Sequence, residues 1–499
     1  MSHLLTEANR LELAATGLIQ EVLREESVAP TPATWADLCH RAVERLRLER
    51  AAAAQLQREL QALHASRAWM VVQTLRRLRR FLLPEGSRRA RLARRLTRAL
   101  RRVRCPSNER QQLRTPLDSL RRTRRPDREL FIFVPSIPWT VDLFQRPQHL
   151  ARQLAREGHL VVYDCSGTAE AVVGLKELEP NLFLYKGDPQ LLAELPDPVL
   201  WTFPYNFHHR DLFPAGVRCV YDWIDDLAVF PYDQGFLRAN HRRALREATI
   251  VASVARRLHE EARRVRPDAI YLPNAVEFER FAQPAPEFPQ DAVLARLRAS
   301  GKPLAGYYGA LADWFDYPLL EQTARRRPDW NFLLIGPNYD GSLKGQPLLD
   351  CPNVAWIGPR RYEQLPGYLR AMDVALIPFR LNDITLATSP LKLYEYLAAD
   401  KPVITTAMPE CMACPEVMIV GSAWELAEAL DTARARAGEP ERRRRRQAVA
   451  AGNSWAARTR VVVQRLQEQR AGAGASVGGA PGRRRPPGGG RRGPPPPPP

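Results

Sequence analysis

Four residue types spaced along one short stretch give this chain its chemistry. In Ala387–Thr406, reading ATSPLKLYEYLAADKPVITT, a serine and a proline are followed by Lys392 and, three residues on, Glu395. Ser389 before Pro390 is a helix-start signal, with a side-chain oxygen at the N-cap and proline at the first helical position. Residues 391–399 then supply about two and a half turns of helix, and Asp400-Lys401-Pro402 stops it. A helix start offers free N–H groups and roughly half a positive charge, a natural seat for a phosphate. Lys392 adds a full charge in the first turn. Glu395 lies on the same face and can accept hydrogen bonds from sugar hydroxyls. Together they make a site for a nucleoside diphosphate. The plainer reading is an i,i+3 ion pair on a solvated helix, worth a few tenths of a kcal/mol.

The elements that must position these groups can be read on either side. Val374–Pro378 and Val403–Thr406 are short apolar runs of the kind found as buried parallel strands, so strand, loop, helix and strand form a βαβ unit. Ligands of such sheets collect at the carboxyl ends of the strands. The segment resembles the donor-binding helix of retaining GT-B glycosyltransferases of the nucleotide-sugar-dependent family 4, or group 1. Its wording Ser-Pro-Leu-Lys-Leu-Tyr-Glu-Tyr-Leu-Ala is similar to the teichuronic-acid-type branch that builds bacterial surface polysaccharides. In that family a Glu-x7-Glu motif leads into a Gly-Lys-Pro-Val turn. Glu395 matches the second glutamate, which the resemblance assigns to the nucleotide ribose. Asp400-Lys401-Pro402-Val403 matches the turn, with Asp where Gly is usual. The first glutamate falls on Ala387 and is absent.

Two further stretches carry the resemblance. Arg146-Pro147-Gln148-His149-Leu150-Ala151, followed by Gly158-His159-Leu160-Val161, is similar to the amino-terminal domain of the same branch. Leu272-Pro273-Asn274-Ala275-Val276-Glu277, with Phe281 beyond it, resembles the crossover between the two domains. The fold expected is α/β, GT-B: two Rossmann-like domains with a cleft between, behind a helical, basic N-terminal extension. Domain boundaries are placed at 1–66 (helical, coiled-coil), 67–128 (basic helix and linker), 129–290 (acceptor domain), 291–470 (donor domain) and 471–499 (disordered tail of Gly, Arg and Pro).

The resemblance implies transfer of a sugar from a nucleotide-diphosphate donor to a hydroxyl, with retention of configuration and no obligatory metal or other cofactor. Donor contacts are expected at Gly309, Arg380, Thr388, Ser389, Pro390, Leu391, Lys392 and Glu395. Trp139, Arg146 and His149 are the expected acceptor contacts. Lys392, Asp225, Asp226 and His149 are the candidates for charge stabilisation and proton handling. The family's Arg and Lys after the first strand of the donor domain are missing, since residues 310–316 read ALADWFD. The phosphate charge therefore falls to Lys392 and Arg380. Tyr221–Asp226, with three aspartates at a strand end, suggests a metal to the eye but lacks a further ligand motif. Cys411 and Cys414 form a single Cys-x-x-Cys without a second pair.

Charge is distributed unevenly. The net charge is +19, yet 67–130 alone holds 21 Arg against 5 acidic residues, so the middle of the chain is close to neutral. Residues 67–104 combine Trp69, Phe81, Leu82 and Leu83 with arginines, which reads as an interfacial helix on anionic lipid. A disordered basic linker and a nucleic-acid-binding arm are the competing readings, though no nucleic-acid-binding fold signature accompanies the run. Cys39, Ala42, Leu46, Ala53, Leu56, Leu60 and Leu63 follow three–four spacing, a seam for self-association or for packing on the next helix. There is no apolar run of about 18 residues and no signal peptide, and the seven scattered cysteines suit a reducing cytosol. The location expected is cytoplasmic, peripheral on the inner face of the plasma membrane. Two rival classes stand beside the enzyme: a non-catalytic membrane scaffold with a degenerate donor site, and a polyanion-binding protein.

Overall fold

The structure is a computed structural model that describes residues 116–477, apart from 119, 121, 123, 124, 126, 142, 143 and 284–287, with only the backbone described for 472–477. The expected coiled-coil seam (39–63), the basic segment 67–104 and the tail beyond 477 lie outside the described residues. Among those described, no helix is long and apolar enough to cross a membrane.

The first domain holds β1 (Leu130–Phe133), α1 (Arg146–Arg156), β2 (Leu160–Asp164), β3 (Gly174–Glu179), β4 (Leu182–Lys186), α2 (Pro189–Leu192), β5 (Val199–Thr202), β6 (Arg218–Trp223), α3 (Gln234–Glu247), β7 (Ile250–Ser253), α4 (Arg256–Val265) and β8 (Ile270–Tyr271). A crossover carrying α5 (Phe278–Ala282) leads to the second domain. That domain comprises α6 (Ala292–Ala299), β9 (Leu304–Tyr308), α7 (Tyr317–Arg326), β10 (Asn331–Ile335), β11 (Val354–Trp356), α8 (Leu365–Ala371), β12 (Val374–Ile377), α9 (Asp383–Leu386), α10 (Leu391–Ala398), β13 (Val403–Thr405), α11 (Pro409–Met412), β14 (Val417–Ile419) and α12 (Ala423–Ala435). Two more helices, α13 (Pro440–Gly452) and α14 (Trp455–Val477), close the described chain.

Each domain is a doubly wound sheet. The first runs β3-β4-β2-β1-β5-β6-β7-β8, parallel except for the antiparallel edge strand β3, and the second runs β11-β10-β9-β12-β13-β14, all parallel. The central strands are continuous apolar runs because helices cover both faces. β1, β2, β9 and β10 are buried at every position. Two strands escape the sequence pattern. β3, reading GLKELE, is largely solvent-facing at the sheet edge, and β14 is three residues with no fully buried position.

The chain passes between domains twice, and the two passages touch. The Val276 N–H donates to the Asn453 carbonyl and the Trp455 N–H donates back to Val276, closing a parallel bridge between Val276 and Ser454. Helix α14 thus returns to the first domain, where Trp455, Val462 and Leu466 are buried in its core. The Trp455 indole stacks on His149 with centroids 5.0 Å apart and planes at 12°. Asn453 and Ser454 separate α13 from α14. The closing helix runs to Val477, beyond Ala471 where the composition turns to Gly, Arg and Pro.

Two backbone details shape the second domain. Gly336 has φ +140°, and a Cβ there would lie 1.8 Å from the Gly309 carbonyl oxygen. The β9 and β10 loops can therefore approach only without a side chain. Asp400, in place of the more usual glycine, adopts φ +59°, and Arg446 donates to its Oδ1 through Nε (2.9 Å) and Nη2 (2.7 Å). Asp tolerates this region better than most residues, and the buried arginine fixes it there.

Trp455→Ala removes a fully buried indole from the joint between domains. It should cost about 3–5 kcal/mol of stability, read by chemical denaturation. A loss under about 1 kcal/mol would mean the closing helix is not part of the cooperative unit.

Candidate active site

The cleft between the domains encloses a cavity of about 330 Å³. Phe144, Arg146, Ile224, Asp225 and Val229 line it from the first domain and Asn274 from the crossover; Tyr307, Tyr308, Gly309, Trp314, Tyr362, Phe379, Thr388 and the first turn of α10 line it from the second. It lies beyond the carboxyl ends of β9 and β12, as expected for the ligand crevice of such sheets.

Helix α10 begins one residue later than the sequence pattern predicts. The N-cap is Pro390, with φ −72° and ψ 110°, and no side chain caps the helix. Ser389 is committed elsewhere: its Oγ accepts from the Asn274 N–H at 3.2 Å, and its carbonyl accepts from the Asn274 side chain at 2.7 Å. Sequence could not foresee that a crossover residue would take this hydroxyl. The result is a helix whose first N–H groups have no side-chain partner and which opens on the cavity.

Lys392 follows in the first turn. Its Nζ lies 5.4 Å from the Tyr307 ring centroid and 5.2 Å from that of Phe379. Burial pulls its pKa down to about 8, against the pull of Glu395. Gly309 makes room for it: a Cβ at Gly309 would stand 2.8 Å from Lys392 Cε, at φ +141°. Glu395, one turn deeper, is almost fully buried. Its Oε2 accepts from Tyr308 Oη at 2.7 Å and its Oε1 has no hydrogen-bond partner. Burial raises its pKa to about 7, opposed by the Tyr308 hydrogen bond and the Lys392 charge. The pair is therefore not the solvated surface contact of the plainer reading. Both groups are held short of full ionisation near neutral pH, a state that an anionic, hydroxyl-bearing ligand would relieve.

Across the cleft stands Asp225. Its Oδ1 accepts from the Asp226 N–H at 3.0 Å and lies 3.5 Å from Thr388 Oγ1. Burial raises its pKa to about 7. Ala387, beside Thr388, is fully buried and packs with the core of the first domain, so no larger side chain has room there without repacking.

Several expected site residues sit elsewhere or are already engaged. Asp226 caps the turn at residues 227–229 by accepting from the Ala228 N–H, and does not line the cavity. His149 is buried among Phe144, Tyr362 and Trp455, with Nδ1 3.2 Å from Glu277 Oε1, and burial lowers its pKa. Proton handling at substrate is out of its reach. Trp139 packs edge-on against Phe144 and Tyr163 in the core. Arg380 is exposed and lies outside the cavity wall; its N–H donates to the Trp314 carbonyl at 2.8 Å. Arg146 does line the cavity, but its guanidinium is spent: it donates to both oxygens of Asp222 (2.8 and 2.9 Å), to the carbonyls of Leu272 and Pro273, and to Asn274 Oδ1. Asp222, Asp225 and Asp226 thus have three separate tasks. Among the described residues no group of three His, Cys, Asp or Glu side chains is placed to hold a metal ion. Cys411 and Cys414 are buried free thiols. Sequence reasoning missed Tyr308, Tyr362 and Thr385, which are brought to the cavity by the packing of segments distant in sequence.

The fold is that of GT-B proteins. Sucrose-phosphate synthase from Thermosynechococcus elongatus superposes with a TM-score of 0.52 at 16% identity, covering 69% of this chain and all of that one. The trehalose 6-phosphate synthase of Burkholderia multivorans gives 0.51 at 15% identity, covering 72% of this chain and 99% of that one. Anabaena Alr3699/HepE, solved in complex with UDP and glucose, gives 0.50 at 14% identity, covering 68% and 100%. Residues 307–436, within the second domain, match the profile of Glycosyl transferases group 1. A relative assigned by name to teichuronic acid biosynthesis, the glycosyltransferase TuaH of Bacillus subtilis (strain 168), is 34% identical over 137 residues. That match spans 27% of this chain and 34% of the relative's length.

The burial of Glu395 makes a prediction about stability. Its carboxyl ionises near 7 in the fold against 4.5 ordinarily, so holding it ionised costs the folded state as pH rises through that window. Glu395→Gln removes the cost. In the absence of ligand the variant should be more stable than the parent at pH 8, by roughly 1–3 kcal/mol, and the gain should vanish below about pH 4.5. Urea denaturation at the two pH values checks this; an equal difference at both would show that Glu395 is not held against ionisation.

Proposed function

We propose that this protein is a glycosyltransferase that moves a sugar, with retention of configuration, from a nucleoside-diphosphate donor to a hydroxyl of a glycan or lipid-linked acceptor in cell-surface polysaccharide synthesis. The observation that carries this reading is the uncapped start of α10 on the interdomain cavity, with Lys392 in its first turn and Glu395 behind it. The group 1 match and the GT-B architecture support it.

Each residue has a role that follows from its position. The free N–H groups at Leu391 and Lys392 and the Lys392 ammonium receive the diphosphate, whose charge grows as the bond from the anomeric carbon to its oxygen breaks. Burial leaves the Lys392 ammonium poorly solvated, so an arriving anion is a favourable partner for its charge. Glu395 accepts hydrogen bonds from the ribose hydroxyls. Asp225 orients the acceptor hydroxyl from the opposite wall, held by the Asp226 N–H and Thr388. With the family's first glutamate replaced by the buried Ala387, Asp225 brings a carboxylate to within 3.5 Å of the Thr388 hydroxyl, on the residue next to it. We further propose that no metal is needed, because the helix start and Lys392 meet the diphosphate charge. The scaffold reading draws on the same loss at Ala387, and one set of measurements decides between the two.

Glu395→Gln should weaken binding of the nucleoside diphosphate, or lower turnover, about ten- to a hundred-fold, the value of a charge-assisted hydrogen bond of roughly 1.5–3 kcal/mol. Lys392→Ala should lower kcat as well as donor binding, since its partner charge develops in the transition state. A panel of sugar nucleotides, read by nucleoside-diphosphate release with and without a chelator, tests all three statements. Absence of nucleotide binding and of release from every donor would leave the scaffold.

Location is part of the proposal, and its support is the charge run of residues 67–104. Full-length protein should sediment with vesicles of anionic lipid, and a chain starting at Asp127 should not. Equal sedimentation of the two would place the membrane contact elsewhere or remove it.

A further inference from the structure

Tyr362 stands where both domains and the crossover meet. It opens the short turn Tyr362–Gln364, and its ring is held from three sides. It stacks at 5.7 Å on Phe144 and meets His149 edge-on at 5.1 Å, both from the first domain, and lies 5.8 Å from Phe281 of the crossover. The Arg280 guanidinium covers the ring at 5.3 Å. Packing on this scale fixes the ring and leaves the hydroxyl a single direction.

That hydroxyl is buried in the wall of the cavity and makes no hydrogen bond. Glu395 Oε1, on the same wall, is in the same condition. The two groups are close enough for the hydroxyl to draw the carboxyl's pKa down, yet they lack the geometry of a hydrogen bond. Buried polar groups without partners cost free energy, and native structures keep few of them. Here a donor and an acceptor are left unmatched side by side, in a site otherwise built for a ligand. A small shift of the Glu395 side chain toward the hydroxyl would complete the pair.

We propose that Tyr362 is a positioning residue of the donor site, its hydroxyl taking hold of the Glu395 carboxylate when a nucleotide occupies the cavity. The inference rests on the reading of Glu395 as the nucleotide's ligand and adds a residue to it. Tyr362 and Glu395 both belong to the second domain, and the ring that carries the hydroxyl is braced by Phe144 and His149 of the first domain and by Phe281 of the crossover. The other groups facing Glu395 are Tyr308 from the end of β9, which bonds Oε2, Lys392 from its own helix and Glu277 from the crossover. Glu277 is held ionised by His149 and the arginines at 280 and 156, so it opposes the charge on Glu395 at every pH of interest. None of these contacts changes when the Tyr362 hydroxyl is removed.

Tyr362→Phe deletes that hydroxyl and keeps the ring, its packing and the Arg280 contact. UDP, GDP and ADP are titrated into the full chain across the pH range that brackets ionisation of Glu395, and melting temperatures are taken without ligand. For whichever nucleotide the parent binds, affinity should fall about five- to twenty-fold. The midpoint of the pH dependence should move up, because the ionised carboxylate has lost a donor. The melting temperature should hold or rise, because an unmatched hydroxyl has left the interior. Unchanged affinity and an unchanged midpoint overturn the proposal, and so does a lower melting temperature with the midpoint unmoved, the mark of a purely structural group. Glu395→Gln is measured alongside. If it binds as the parent does, the nucleotide reading of Glu395 itself fails. If it is weakened while Tyr362→Phe is not, only the role of Tyr362 fails. A parent that binds none of the three nucleotides removes both.

Discussion

The buried ion pair between Arg146 and Asp222 is the constraint on which the rest of the cleft depends. Asp222 lies one residue before the end of β6, in the sheet interior, and also accepts from the Trp201 indole N–H at 3.1 Å. Arg146 spans the gap from α1 to that carboxylate and reaches the carbonyls of Leu272 and Pro273, where the crossover leaves the first domain. It also fixes Asn274, which in turn binds Ser389 through both backbone and side chain. One guanidinium thus sets the position of α10 relative to the first sheet. Removing one partner of such a pair leaves a buried charge uncompensated, a loss of about 3–5 kcal/mol. Arginine suits the task because its planar fork serves a carboxylate and three further acceptors at once.

A second tie runs through the closing helix. Arg458 donates to the Pro273 carbonyl at 2.9 Å, and Trp455 stacks on the ring that Glu277 holds from the other side. Glu410, from the second domain, accepts from the Arg256 N–H at the start of α4 and from the Tyr271 hydroxyl. These contacts surround the cavity without filling it. Among the polar groups of its walls the exceptions are Tyr362 Oη and Glu395 Oε1, which have no hydrogen-bond partner, and Lys392 and Asp225, which burial holds away from their ordinary ionisation.

Those exceptions share a physical character. Lys392, Glu395 and Asp225 are each moved by burial toward their neutral forms, and the helix start beside them has no side-chain cap. Natural proteins accept such costs where a ligand will offset them. The apolar part of the lining, with Phe144, Ile224, Trp314 and Phe379, keeps water out and strengthens every charge interaction with what enters.

The sequence alone determined the two parallel sheets, since apolar runs such as Leu130–Phe133 and Val374–Ile377 can be buried on both faces only between layers of helix. It also determined the helix carrying Lys392 and Glu395 and their common face, which follow from local spacing. The edge strands β3 and β14 were hidden because a half-exposed strand has no continuous apolar signal. Whether a polar residue was free or engaged was decided only by tertiary structure. Arg146 and His149 have the residue types of a site, yet the first is spent on Asp222 and the second is packed beneath Trp455. Ser389 has the type of a cap, yet Asn274 claims it across 115 residues of chain. Tyr308 and Tyr362 look like ordinary core aromatics in the sequence and stand at the carboxylate in the fold. Local spacing fixes which face a side chain shares, and only the meeting of distant segments fixes what that face will touch.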